Sequence, residues 1–142
     1  MIDEKWTGAT SEVVKITVTR EMIASYAKAI HHDNSIYVDI DSAKRAGYQD
    51  IPAPPTMPII FWSFIKVPWL EDVGPVIHGK QCFSYEHPVV ANRTYDCVIH
   101  LKDVRKRQNN CEIMQRSNHE LLISFNDCIH ASIRTTLLIF KK

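Results

Sequence analysis

The densest run of side chains able to move protons is His31-His32-Asp33-Asn34-Ser35-Ile36-Tyr37. A carboxylate beside an imidazole or phenol can share one water between them, activating it while returning a proton to the substrate. Asp33 is the candidate base, with His32 or Tyr37 assisting. The plainer account is a solvated helix end, where histidine complements the dipole and Asp stays exposed. His31, His32 and Asp33 also raise a metal site. Adjacent helical residues point about 100° apart, and no H-x-x-x-H or second cluster completes three or four ligands, so no metal is expected. Ser63, Ser84, Ser124 and Ser132 lack a G-x-S-x-G setting, and four glycines build no phosphate loop. His87, ahead of Pro88 at a strand end, reads as a corner residue within reach of a ligand.

These residues need elements to hold them. Val13 to Val18 reads as a strand. Thr19 is a good N-cap, and Ile23, Tyr26, Ala27 and Ile30 form one apolar helix face ending near His31. Asp41 or Ser42 caps a short helix over Ala43 to Ala46, stopped by Gly47. Pro52, Pro54 and Pro55 stiffen the chain before Met57 to Ile65, a run so apolar that its helix should be buried on most sides. Pro58 suits its first turn. Gln81 to Tyr85, Thr94 to Asp103, Cys111 to Arg116 and Cys128 to Phe140 read as strands. Turns are expected at Asn92-Arg93, Asn109-Asn110 and Ser117-Asn118-His119-Glu120. The sum is an α+β domain over residues 1–142: a strand, a helix, one buried helix, and a four-stranded antiparallel meander wrapped around it. An exposed edge strand in such a sheet invites a second subunit, so a dimer is expected.

Composition narrows the function. A chain of 142 residues buries roughly 68% of its unfolded surface on folding. Lys+Arg number 17 against 16 Asp+Glu, which argues against a nucleic-acid or membrane-surface binder. No stretch reaches about 18 consecutive apolar residues: Ser63, Lys66 and Pro68 break the run from Met57 to Leu70. Asp3 and Glu4 leave Met1 to Thr10 without a signal-peptide core. A cytoplasmic location is expected, with Cys82, Cys97, Cys111 and Cys128 as reduced thiols, all in strand-like stretches and with no C-x-x-C. The basic run Arg105-Lys106-Arg107, beside Lys102, either meets phosphates or an acidic carrier protein or is a solvated hairpin end.

Several blocks together resemble a known family. They are Ile30 through Asp39, Ala43-x-x-Ala46-Gly47-Tyr48, Ala53-Pro54-Pro55-Thr56, Phe83-x-Tyr85-Glu86-x-Pro88-Val89-x-Ala91, and Leu101-x-Asp103-Val104-Arg105. In order and spacing they resemble the MaoC-like dehydratases, and within them the N-terminal, FAS1-type dehydratase domain. That group includes the non-catalytic subunit of a heterodimeric (3R)-hydroxyacyl-ACP dehydratase. The resemblance implies a hotdog fold, in which an antiparallel sheet wraps a central helix and two units pair. It also implies hydration of trans-2-enoyl thioesters, or dehydration of (3R)-hydroxyacyl thioesters, carried on CoA or acyl carrier protein, without metal or redox cofactor.

Catalytic relatives carry G-D-x-N-P-x-H. Aligned on Asn34, Gly falls on His31, the catalytic Asp on His32, the variable residue on Asp33, Pro on Ser35 and the catalytic His on Tyr37. Both catalytic side chains are absent from their places. A one-residue shift puts Asp33 on the Asp but sets Ser35, Ile36 and Val38 against Asn, Pro and His. Relatives also carry His-Gly before the central helix, where Pro54 and Pro55 lack the N–H of an oxyanion donor. Asn92 stands where many relatives have Gly, and it tolerates the left-handed turn. The resemblance therefore implies a thioester-binding, non-catalytic half, partnered with a catalytic MaoC-like subunit. Asn34, Tyr37, Pro55, Thr56, Met57 and Phe61 are the implied substrate-binding residues. Phe61, Trp62 and Phe64 either line an acyl tunnel or simply pack, and packing is the stronger reading for an aromatic-rich helix. Two rival readings stay open: a self-sufficient homodimeric hydratase or hotdog thioesterase using Asp33, and a non-enzymatic acyl-CoA-binding regulatory module.

Overall fold

The computed structural model describes residues 1–141. β1 (Val14–Val18) runs into Thr19, which is extended and accepts a hydrogen bond from the Met22 N–H at 3.1 Å, opening α1 (Arg20–Ala29). That cap satisfies one of the donors a helix start leaves unpaired. Ile23 and Ala27 turn inward as the periodicity requires. His31 follows in the left-handed region, with φ 57. A single 3₁₀ turn, Ser35–Tyr37, is capped by Asn34, whose Oδ1 accepts from the Ile36 N–H. α2 (Ile40–Arg45) begins earlier than expected. Its cap is Asp39, not Asp41 or Ser42, because one Asp39 oxygen accepts from the Asp41 N–H and the other from the Ser42 hydroxyl. Gly47, at φ 97, ends it.

The run from Met57 to Ile65 is not an α-helix. It forms a 3₁₀-helix over Met57–Phe64, and Ile65 is already extended. Pro58 removes one donor near its start, while β-branched Ile59 and Ile60 and three aromatics weaken α-helix preference. It is also buried on one side only. Met57 and Phe61 are fully buried and Ile65 nearly so, whereas Phe64 is 52% exposed.

The sheet has five antiparallel strands in the order β1-β3-β4-β5-β2. They are β2 (Val76–Tyr85), β3 (Arg93–Gln108), β4 (Ile113–Phe125) and β5 (Cys128–Phe140). The four-stranded meander is thus corrected to a three-stranded one, β3 to β5, with β2 carried across to pair with β5. The crossing is enforced locally. Ala53 donates its N–H to Val89 and Ala91 donates to Ile51, both at 2.8 Å, so the proline lead-in draws residues 89–91 away from β2. The expected turn at Ser117 to Glu120 is likewise absent. Ser117 and His119 lie in the middle of β4, paired with Val104 and Leu101 on one side and Leu137 and Thr135 on the other. Two-sided pairing and burial override the local turn preference of these polar residues. Cys111 is not in a strand but at the exposed β3–β4 turn. All four cysteines are free thiols.

The inner face of the sheet brings Tyr95, Cys97, Ile99 and Leu101 of β3 and Leu121 and Ile123 of β4 against Ile23, Met57 and Phe61. His119 is buried in this face. Trp69 Nε1–H donates to its Nε2 at 3.0 Å, and Trp62 stands edge-on to its ring. Burial lowers its pKa to about 4. Among the described residues, no helix is long and apolar enough to cross a membrane.

Candidate functional site

The bridge between Pro52 and Val90 builds the site. Where the proline lead-in meets the end of β2, a cleft of about 300 Å³ opens. Three segments line it: Tyr37 and Tyr48; Pro52, Ala53 and Pro55; and Tyr85 through Val89. The Tyr85 hydroxyl donates to the Pro55 carbonyl, and Tyr26 and Thr56 join their hydroxyls at 2.9 Å. The Tyr95 hydroxyl accepts from the Val90 N–H at 2.9 Å and fixes the far wall. Burial raises the Tyr37 and Tyr85 pKa values above the ordinary phenol value, with Tyr48 and Tyr26 respectively as the lesser causes. Both phenols therefore stay protonated at neutral pH; Tyr85 spends its O–H on Pro55, and Tyr37 keeps its O–H for a ligand.

The sequence-predicted residues are divided by the fold. Tyr37 is buried and lines the cleft, with the exposed His32 ring against it at 4.8 Å between centroids. Asp33 is exposed, and among the described residues it makes no hydrogen bond or ion pair. Asn34 spends its carbonyl oxygen on the Ile36 cap. Pro55 is at the cleft, and Thr56 sits beside it on Tyr26. Met57 and Phe61 are core side chains beneath the site, with no exposed surface. Among the described residues, no group of three His, Cys, Asp or Glu side chains is arranged to hold a metal.

Two positions where relatives carry glycine have a glycine-like backbone. His31, at the motif's Gly position, and Asn92, at the later Gly position, both adopt positive φ, 57 and 61, the region where glycine is ordinarily preferred. Sequence reasoning missed Tyr48, Tyr85 and Glu86. The available signal was the block Phe83 to Ala91, which had to pack on something stiff; the pairing of Val90 with Pro52 supplies it.

Below the cleft, His130 is 7% exposed. Burial lowers its pKa, and the nearby His87 and Arg93 charges add to the effect. Asp50, on the loop after Gly47, is bound by both Arg20 donors and by the Asn92 amide; the Arg20 contact lowers its pKa.

A five-stranded antiparallel sheet curled over a central 3₁₀-helix, with a cleft at the end of that helix, defines a hotdog protein. The chain belongs to the FAS1-like dehydratase domain region family, matched over residues 5–122. A UPF0336 protein of Saccharopolyspora erythraea is 33% identical over 99 residues, covering 66% of this chain and 64% of the relative. This chain thus spans under two thirds of that relative's length. Among solved structures, a truncated HadBC (3R-hydroxyacyl-ACP dehydratase) complex of Mycobacterium tuberculosis matches with TM-score 0.78 and 20% identity, covering 94% of this chain and 96% of that one. The ChsH1–ChsH2 complex of the same organism matches with TM-score 0.75 and 22% identity, covering 94% and 89%. MaoC-like dehydratases share the fold as well.

Proposed function

We propose that this chain is the thioester-binding, non-catalytic half of an (R)-specific enoyl-thioester hydratase or 3-hydroxyacyl-thioester dehydratase, acting on CoA or acyl-carrier-protein substrates. One observation carries the reading: at the two catalytic positions of the motif stand His32, exposed, and Tyr37, a buried phenol that stays protonated. A general base must be deprotonated at working pH, and Tyr37 is not. It can still donate its O–H to a thioester carbonyl. The apolar lining of Pro52, Ala53, Pro55 and Val89 suits an acyl group, and the 3₁₀-helix that follows shapes the channel.

The catalytic Asp and His then come from a second, MaoC-like chain. The open edge of β2 supports such a partner. Among the described residues it pairs only with β5, and Val76 and Ile77 are exposed upon it. Unpaired N–H and C=O groups on such an edge are satisfied by another strand. The relatives that form two-chain complexes, the HadBC and ChsH1–ChsH2 assemblies, point the same way.

The test is loss of enoyl-thioester absorbance with crotonyl-CoA and a longer trans-2-enoyl-CoA. The folded chain alone should show no turnover, and a catalytic MaoC-like subunit should gain activity or stability on mixing. Turnover by the chain alone that disappears in Asp33→Asn, or in Glu86→Gln or His87→Asn, would make it a self-sufficient enzyme and overturn this reading.

A further inference from the structure

We propose that the recess adjoining the main cleft, floored by His130 and walled by His87 and Arg93, binds a phosphate group. The recess measures about 270 Å³ and shares Tyr48, His87 and Pro88 with the cleft. A ligand lying in the cleft therefore lies beside it.

His130 is 93% buried, and its Nδ1 makes no well-formed hydrogen bond; the Pro88 backbone beside it is the one protein group that favours its protonated form. Buried polar atoms are nearly always paired, so an orphan facing a recess is best explained by a ligand that pairs it. The His87 ring lies 4.8 Å from the His130 ring, centroid to centroid. Arg93 completes the group. The left-handed turn at Asn92 starts β3 at Arg93, whose guanidinium lies over the Phe125 ring at 4.8 Å. Its hydrogen bond goes to the neutral side-chain carbonyl of Gln49, and among the described residues it has no ion pair. Asp50, one residue beyond Gln49, is taken by Arg20 and so does not neutralise it. Asp96, three residues beyond Arg93, pairs with Lys15, and Glu86, beside His87, lines the main cleft rather than the recess.

The donors suit an anion with several oxygens. A guanidinium presents parallel N–H groups to two phosphate oxygens, and each imidazole offers an N–H from its free ring nitrogen. An acyl chain placed here would leave the His130 nitrogen unpaired and the Arg93 charge without a counter-charge, so the apolar part of a ligand belongs in the neighbouring cleft. The source of the phosphate rests on the thioester reading above: the phosphopantetheine arm, free in CoA or attached to a carrier protein, brings phosphate and thioester on one molecule.

The experiment follows the imidazole C–H resonances of the intact chain by NMR during titration with inorganic phosphate, phosphopantetheine, CoA and phosphate-free pantetheine. The His87 and His130 signals should shift saturably with the first three and stay in place with pantetheine. Equal affinity for phosphopantetheine and CoA would assign the arm's own phosphate; affinity for CoA alone would assign its nucleotide phosphates. Arg93→Gln should weaken binding about tenfold or more, the loss expected for a charge-assisted contact. His130→Gln should do the same, and if it fails to fold, the half-buried Arg93 variant decides alone. Signals unmoved by saturating phosphate, or an Arg93→Gln protein that binds like the wild type, would overturn the site. A thioester that binds equally well to that variant removes the phosphate site and leaves the thioester reading standing. Phosphate that binds where no thioester does has the opposite meaning.

Discussion

His119 offers a sharp test of the packing beneath the site. Its Nε2 accepts from Trp69, which requires a neutral ring, and its pKa is lowered to about 4 from an ordinary 6.5, with burial the main cause. The folded value lies below the unfolded one, so protons favour the unfolded chain. The stabilisation is complete above pH 6.5 and is lost as pH falls through 6.5 toward 4. Linkage with these two values gives a loss on the order of 1 kcal/mol at pH 5.5 and roughly 2–3 kcal/mol at pH 4.5. The assay is urea unfolding of wild type and His119→Phe at pH 7.5, 5.5 and 4.5. The variant should be less stable at pH 7.5, because Trp69 Nε1–H loses its acceptor. That penalty does not depend on pH, so the gap should close or reverse at pH 4.5. His130 and the carboxylates titrate in both proteins and cancel in the difference. Parallel stability curves across the range would refute the argument.

Three other outcomes are expected. Phe61→Ala should cost about 3–5 kcal/mol in urea unfolding, since the ring is fully buried against the sheet. Tyr95→Phe strands the buried Val90 N–H and should cost about 1–3 kcal/mol, with the far wall of the cleft loosening as measured by amide hydrogen exchange. A thiol reagent at pH 8 should label exposed Cys111 and Cys128 rapidly, and Cys97 only on unfolding, because burial raises its pKa to about 12.

What could be read from sequence was mostly local. Thr19 caps α1 through its own side chain, and Cys128 to Phe140 matches β5 end to end, because each signal lies within a few residues of its effect. The 3₁₀ character of Met57–Phe64 was hidden, since an apolar run gives burial but not helix type. Ser117 to Glu120 carries turn residues, yet β4 runs straight through them because strands on both sides claim their backbone. The cleft was half legible. Tyr37 and Pro55 came from motif positions, whereas Tyr48, Tyr85 and Glu86 join only once Pro52 has met Val90, a long-range pairing that no local pattern encodes. The recess at His130 was hidden for the same reason: His87, Arg93 and His130 come from three separate segments.

The extreme case of such distance is the exchange between Ile2 and Gln115. The Ile2 N–H donates to Gln115 Oε1 and Gln115 Nε2–H donates to the Ile2 carbonyl, both at 2.7 Å, across a separation of 113 residues. At about 5–20 residues per second, a ribosome needs roughly 6–23 s to supply the second partner after the first. β1 likewise waits for β3, and β2 for β5. Once made, Met57, Phe61 and then the inner side of β3 have no finished sheet to cover them until β4 and β5 follow. The nascent chain therefore spends seconds with its stickiest segments uncovered.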